Sequence, residues 1–159
     1  MASTDTGNTL DLVLERTTDL PSSLLWKAWT TPEHLVHWFV PKPWQTVHCE
    51  IDLRPGGIFR TIMRSPDNEE FDNAGCYLEV VPERRLVWTD ALQPGYRPAA
   101  KPFMTAILTF EEQGGGTRYV ARALHKDVAD RDQHIAMGFE SGWGTVFDQL
   151  VAYLRTMKA

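Results

Sequence analysis

The sequence predicts an α+β fold in which a seven-stranded, curved antiparallel sheet wraps around a long C-terminal helix. Three observations predict this fold. Residues 10–16 alternate in polarity as a half-buried strand does, residues 44–125 form short alternating runs separated by turn residues, and residues 130–157 have helical periodicity. The length of 159 residues is typical of one domain, so we expect residues 1–159 to form a single domain with an ordered core over about 10–157.

Composition and charge exclude several classes of protein. Apolar residues make up 43% of the chain and charged residues 23%, as in ordinary globular domains. The formal net charge of -5 provides no basic field for nucleic acid or an anionic membrane. No window is long and apolar enough to span a bilayer, and residues 1–9 lack the apolar stretch of a secretory signal. We therefore expect a cytoplasmic protein that binds neither nucleic acid nor membranes.

Two short helices are predicted after the first strand. Pro21 is compatible with a first helical turn, and apolar residues follow it at helical spacing. Thr31, Pro32 and Glu33 then begin another helix with a hydroxyl at the N-cap, proline at the first position and a carboxylate near the positive end of the dipole. The two helices connect the first strand to the rest of the sheet.

Six further strands are predicted between Trp44 and His125, because turn residues divide this segment into consecutive hairpins. The last four cover residues 71–81, 85–92, 102–111 and 117–125, and residues 93–101 form a loop. The glycines at 114–116 permit positive φ in a hairpin, and no helix follows them as a phosphate-binding loop would require. No cofactor is therefore expected.

The C-terminal segment is predicted as one helix over residues 130–157. It contains Gly138, Gly142 and Gly144, and each glycine inside a helix costs about 1 kcal/mol relative to alanine. Close passage over the sheet, a bend, or empty space beside the helix for a ligand would each explain these glycines. All three explanations stay open at this stage.

The two cysteines, Cys49 and Cys76, lie in alternating runs that we interpret as strands separated by a third strand. We expect reduced core thiols that are too far apart to form a disulfide. His34, His37 and His48 are too scattered for a metal site, and the spacing of the first two fits a solvent-exposed helix face. No metal is therefore expected.

Five groups of residues occur in a recognisable order over residues 10–154. They are WKAWTTPE (26–33) followed by Trp38, DLRPGGIF (52–59), GCYLEV (75–80), GGGT (114–117), and Gly142-Trp143 with Leu150, Tyr153 and Leu154. Together they resemble the START-like (SRPBCC) superfamily, in the branch similar to the C-terminal domain of the activator of heat-shock protein 90 ATPase. The resemblance implies a helix-grip fold whose cavity, in relatives, accepts lipids, polyketides or other apolar molecules.

The predicted cavity lies between the sheet face that lacks arginines and the C-terminal helix. Small residues of the sixth and seventh strands, Ala106, Ala121 and Ala123, would leave volume beneath the glycine-containing helix, unless the helix lies closer to the sheet there. The predicted ligand-binding residues are Trp38, Phe39, Phe59, Thr61, Met63, Tyr77, Trp88, Asp90, Met104, Ala106, Leu108, Tyr119, Ala121, Ala123, His125, Met137, Phe139, Trp143 and Phe147. Arginines at 60, 64, 118 and 122 are expected on the convex face, in solvent.

Three classes of function stay open. The first is binding of a small hydrophobic molecule, and the second is a polyketide cyclase-like or hydrolase-like enzyme. The enzyme would need His125, a weak candidate for proton transfer, close to Asp90 or Tyr77. The third is a stress-related, co-chaperone-type module with a chaperone partner, which would need an exposed apolar patch. We do not expect the separate N-terminal client-binding domain of the heat-shock activator, and a homodimer also stays open.

Overall fold

The computed structural model describes residues 10–158, and its α+β architecture confirms the predicted fold class. Within this range a seven-stranded antiparallel sheet, a two-stranded ribbon and four helices are present. In chain order the elements are β1 (Asp11–Thr18), α1 (Ser22–Thr30), α2 (Pro32–Leu35), β2 (Gln45–Ile51), β3 (Ile58–Arg64), β4 (Glu70–Val81), β5 (Arg85–Thr89), β6 (Leu92–Gln93), β7 (Arg97–Pro98), β8 (Thr105–Gln113), β9 (Gly116–Leu124), α3 (Val128–Ala136) and α4 (Phe139–Lys158).

The main sheet has the strand order β1-β9-β8-β5-β4-β3-β2, so β1 and β2 are its edges. Residues 19–44, which contain α1 and α2, carry the chain from one edge to the other. The register shifts between Thr46 and His48 and between Tyr77 and Glu79. Such irregularities increase strand bending and help an antiparallel sheet curve around a helix.

The prediction of one helix over residues 130–157 is wrong, because the segment bends at Gly138. The φ angle of Gly138 is 87°, and its N–H donates to the Ile135 carbonyl at 2.9 Å. This left-handed conformation ends helices and favours glycine. The chain then continues as α4, so Gly138 belongs to the bend, and only Gly142 and Gly144 occupy a helix interior.

Other local predictions also need correction. Pro21 precedes α1 as its N-cap residue, and the Thr31 hydroxyl makes no capping hydrogen bond to α2. His34 and His37 do not share a helix face, because α2 ends at Leu35; His37 is solvent-exposed, His34 is partly buried, and both contact Tyr153 on α4. His34 Nδ1 lies 2.7 Å from the Tyr153 hydroxyl, and the His37 ring stacks on the Tyr153 ring with centroids 5.0 Å apart.

The segment predicted as a loop over 93–101 contains the β6–β7 ribbon, which folds back over the β2–β3 turn. Gly95 N–H donates to the Gly56 carbonyl at 2.8 Å, and Gly56 N–H donates to the Tyr77 carbonyl at 2.8 Å. A Cβ on Gly56 would lie 2.8 Å from the Tyr96 ring, so only glycine permits this close packing. These contacts hold the ribbon against the β2–β3 turn.

The outer face of the sheet carries the arginines predicted there, and each pairs with a carboxylate. Arg60 makes two hydrogen bonds to Asp72, at 2.9 and 2.8 Å, and Arg118 bonds Glu15 at 2.5 Å. These guanidinium groups lower the pKa of both carboxyls. Exposed pairs of this kind contribute little to stability, because water and salt screen the charges.

Cys49 lies on β2 and Cys76 on β4, with β3 between them, and both thiols are free, as predicted. Burial raises the pKa of the Cys49 thiol to about 12, so it is protonated at neutral pH. In residues 10–158, no helix is long and apolar enough to cross a bilayer.

Candidate ligand-binding site

A cavity of about 670 Å³ lies between the main sheet and the α3–α4 segment. Four parts of the chain enclose it: α1 with residues 39–41, the strands β3 to β5, the segment from β6 to residue 104, and the bend around Gly138. Gly142 lines the cavity, and a Cβ at this position would meet nothing within 4 Å. The cavity therefore extends along the side of α4 that carries Gly142.

Aromatic side chains form two opposite walls of the cavity. The sheet-side aromatic group is Trp29, Phe39, Phe59 and Trp88, with neighbouring ring centroids 5.0 to 5.8 Å apart. The helix-side aromatic group is Phe103, His134, Phe139 and Trp143, in which His134 lies 5.1 Å from both Phe rings. Walls of this composition favour apolar molecules.

The exposed edge of the cavity is polar. Asp72, Asn73, Gln93 and Lys101 line this edge and are all solvent-exposed. Asp72 is already paired with Arg60. A ligand would therefore place an apolar body between the aromatic walls and meet polar groups only at this rim or at His134.

The structure brings only part of the predicted site together. The predicted residues that line the cavity are Phe39, Phe59, Thr61, Met63, Trp88, Asp90, Met104, Met137, Phe139 and Trp143. Those placed outside its lining are Trp38, Tyr77, Ala106, Leu108, Tyr119, Ala121, Ala123, His125 and Phe147. Every predicted residue on β8 and β9 belongs to the second group. The cavity therefore lies over β3 to β5 and not over β8 and β9.

The alanines of β8 and β9 do not leave the expected volume. Ala121 is 0% exposed and lies between Leu14 on β1 and Leu108 on β8. The Phe147 ring of α4 packs on Tyr119, with centroids 4.8 Å apart. The helix therefore lies close to the sheet over its small side chains, which is the alternative that the sequence left open.

A directed chain of hydrogen bonds runs along the helix-side wall. Trp143 Nε1–H donates to His134 Nε2 at 3.3 Å, His134 Nδ1 lies 2.9 Å from His125 Nε2, and His125 Nδ1 lies 2.8 Å from the Leu10 carbonyl oxygen. An indole N–H only donates and a carbonyl only accepts, so both ends of the chain are fixed. Each histidine consequently carries its proton on Nδ1 and accepts at Nε2.

Burial lowers the pKa of His134 to about 4, and the neighbouring His125 lowers it further in the same direction. Both histidines are only 6% exposed. The hydrogen-bond chain gives a matching reason, because a proton on His134 Nε2 would point at the Trp143 N–H. His134 is therefore neutral at pH 7, with a lone pair on Nε2 at the cavity wall.

The polar residues predicted to orient a ligand have other contacts. Asp90 Oδ1 accepts from the N–H groups of Phe103 and Met104, at 2.8 and 3.0 Å, and so fixes part of the cavity wall. The Tyr77 hydroxyl is buried without a hydrogen-bond partner among the described residues, and burial raises its pKa. In the described part of the chain, no hydrogen bond joins His125 to Asp90 or Tyr77.

Sequence reasoning missed several lining residues, of which His134, Trp29 and Gly142 matter most. Trp29 belongs to the motif WKAWTTPE, but it was not assigned to the cavity. Gly142 is one of the three glycines that space for a ligand would explain, although the predicted lining does not include it. His134 gave no signal, because its contact with Trp143 depends on the bend at Gly138.

A second cleft, of about 580 Å³, is lined by residues 36–40 and 42–47, including Trp38. Trp44 and Val47 of this cleft, together with Phe71, are an exposed apolar group. Trp44 and Phe71 are 36% and 45% exposed, and their ring centroids are 5.7 Å apart.

Comparison with known proteins gives one family match. The family model described as "Activator of Hsp90 ATPase homolog 1-like protein" matches residues 19–155. A search of curated proteins gave no match.

Several solved structures are similar to this chain. A crystal structure of a protein from Nitrosomonas europaea is 48% identical, covers 94% of this chain and 96% of its own chain, and has a TM-score of 0.91. A crystal structure from Mycobacterium smegmatis is 26% identical, covers 91% and 90%, and has a TM-score of 0.74. The solution structure of an AHSA1-like protein from Aeromonas hydrophila, at 19% identity, 92% and 94% coverage and a TM-score of 0.68, is similar in fold alone.

Proposed function

This chain belongs to the family of activator of Hsp90 ATPase homolog 1-like proteins, and we propose that it binds a small hydrophobic ligand, lipid-like or polyketide-like, in the cavity between the sheet and α4. The family match over residues 19–155 confirms the resemblance predicted from the sequence motifs. We place the protein in the cytoplasm, a reducing compartment in which Cys49 and Cys76 would stay free thiols.

The cavity itself is the observation that supports this proposal. Protein interiors are close-packed and contain few voids larger than a water molecule. The volume of about 670 Å³ falls within the range of roughly 300–1,000 Å³ typical of small-molecule sites. Aromatic groups on both walls would shield an apolar ligand from water.

Substitution of Gly142 tests the proposal. A leucine at this position would extend into the cavity, since a Cβ meets nothing within 4 Å. The neutral dye N-phenyl-1-naphthylamine should bind the unmodified protein saturably, with increased fluorescence. Gly142→Leu should weaken this binding at least tenfold without lowering the free energy of unfolding, because leucine is the better helix residue.

Thr145→Leu is the matched control, since Thr145 is exposed on the same helix and does not line the cavity. It should leave the dissociation constant of the dye unchanged. Dye binding that is absent in the unmodified protein, or unaffected by Gly142→Leu, would refute a ligand site in this cavity.

A protein-binding role, in the manner of a co-chaperone, is a second candidate. The exposed apolar group of Trp44, Val47 and Phe71 favours it, because clustered exposed apolar residues often mark interaction surfaces. Titration calorimetry with heat-shock protein 90 tests this candidate. Binding that is lost in Trp44→Ser and kept in Gly142→Leu would support it, and the absence of any heat of binding would refute it.

A further inference from the structure

The helix-side wall contains a hydrogen-bonding pair in an otherwise apolar surrounding. Trp143 Nε1 and His134 Nε2 are 3.3 Å apart, which is slightly beyond the usual range for a strong hydrogen bond. Both residues line the cavity. A ligand oxygen that hydrogen-bonds to both atoms would replace this long bond, and the two rings would move apart to admit it.

The hydrogen-bond chain through His125 fixes what such a group must offer. Trp143 presents a donor and His134 Nε2 presents an acceptor, because the Leu10 carbonyl at the far end accepts from His125 Nδ1 and so sets the direction of the whole chain. The pair thus requires one atom that both donates and accepts. A neutral hydroxyl oxygen meets this requirement.

We propose, on the basis of the proposed function, that His134 and Trp143 form a subsite for the hydroxyl of an otherwise apolar alcohol or phenol. The ligand O–H donates to His134 Nε2, and the same oxygen accepts from Trp143 Nε1–H. His125 is a positioning residue, because it holds the His134 proton on Nδ1 and so keeps Nε2 as an acceptor.

The same geometry discriminates against other ligand classes. A carboxylate has no proton to donate at pH 7, so its oxygens would face the His134 lone pair after losing their hydration. A methyl group would leave the His134–Trp143 bond unchanged and gain nothing. Charges around the cavity do not favour an anion either, because Lys101 is accompanied there by Asp72 and Asp90.

Three probes of one shape test this inference: 2-naphthol, 2-methylnaphthalene and 2-naphthoate, each titrated into the full chain at pH 7. The unmodified protein should bind 2-naphthol about fivefold more tightly than 2-methylnaphthalene, the ratio expected for one net hydrogen bond, and should bind 2-naphthoate most weakly. The double variant His134→Phe/Trp143→Phe keeps two aromatic rings and removes both the acceptor and the donor. It should bring the ratio of 2-naphthol to 2-methylnaphthalene affinity close to one.

Phe103→Leu is the matched control, because Phe103 lines the same wall without a polar atom, and it should preserve the ratio. Nitrogen NMR on the unmodified protein adds a readout that needs no variant. The His134 Nε2 resonance should shift when 2-naphthol is added and stay in place with 2-methylnaphthalene.

The outcomes separate this inference from the proposed function. Equal affinities for 2-naphthol and 2-methylnaphthalene, or an Nε2 resonance that ignores 2-naphthol, would refute the hydroxyl subsite and leave the apolar cavity standing. Tightest binding of 2-naphthoate would also refute it and would point to Lys101. Failure of all three probes to bind would refute both proposals.

Discussion

The two halves of the concave sheet face differ in a way that side-chain size does not predict. The β8–β9 half carries three fully buried alanines, Ala106, Ala121 and Ala123, and lines no part of the cavity. The β3–β5 half carries large ones, Phe59 and Trp88, and borders the cavity. Small residues let a helix approach until the space is filled, whereas large residues hold the opposite wall away. Empty volume thus depends on the path of the helix.

That path is set at two points, one just before α4 and one within it. Near its start, the bend at Gly138 directs the chain along the cavity, where Gly142 faces open space. Further along, Phe147 packs on Tyr119 and brings the helix against the β8–β9 half. The cavity therefore ends where this contact begins.

Truncation of one residue from each half should give the largest difference. Leu108 lies within β8 and Met104 just before it, and their even spacing places both side chains on the same face. Only Met104 lines the cavity. We expect Leu108→Ala to lower the free energy of unfolding by about 2–5 kcal/mol, because it creates a new cavity. Met104→Ala, beside space that already exists, should cost less. Urea denaturation measures both, and equal losses would contradict the division into two halves.

We expect acid to destabilise the protein through His134, which lines the cavity. The pKa of His134 is about 4 in the folded protein and about 6.5 when unfolded. The unfolded chain therefore binds this proton first, so the free energy of unfolding should fall as the pH decreases from about 6.5 to 4. The loss is roughly 2–3 kcal/mol, and stability is fully retained above pH 6.5.

His134→Phe is the comparison protein for this pH series, since both proteins keep every carboxylate. The difference between their unfolding free energies should change over pH 4 to 6.5 and stay constant above it. Tyr119 of the β8–β9 half contributes nothing in this range, because burial raises its pKa above the ordinary value. Parallel curves for the two proteins would contradict the assignment to His134.

Much of the fold could be predicted because its signals are local. Period-two alternation and turn residues located the main strands, and the start at Arg85 agrees with the structure although the predicted end at 92 is three residues beyond Thr89. The site was less predictable. In one continuous helix, His134 and Trp143 would point about 180° apart and lie about 13 Å apart along the axis. Only the positive φ of Gly138 brings them together, and a single sequence does not reveal that angle.

Substitutions that add side-chain volume should change stability in one half of the sheet face and dye binding in the other. Ala121→Phe and Ala123→Leu add volume to the β8–β9 half, so we expect them to lower the free energy of unfolding by about 1–3 kcal/mol. They should leave the affinity for N-phenyl-1-naphthylamine unchanged, because neither residue lines the cavity. This is the opposite of the expected behaviour of Gly142→Leu. Loss of dye binding in a folded Ala121→Phe protein would show that the cavity extends over β9.

The smallest expected difference concerns two glycines that are two residues apart on α4. A Cβ on Gly142 meets nothing within 4 Å, whereas a Cβ on Gly144 lies 3.1 Å from Arg16 Nη2 and 4.0 Å from Leu14 Cδ1. Gly142→Ala should therefore stabilise the protein by the full helix-propensity gain of about 0.5–1 kcal/mol. In Gly144→Ala, part of the same gain is lost because the Arg16 guanidinium must move, so we expect a change close to zero. Thermal unfolding of the two variants measures this difference, and a larger gain for Gly144→Ala would mean that the helix is not in close contact with β1.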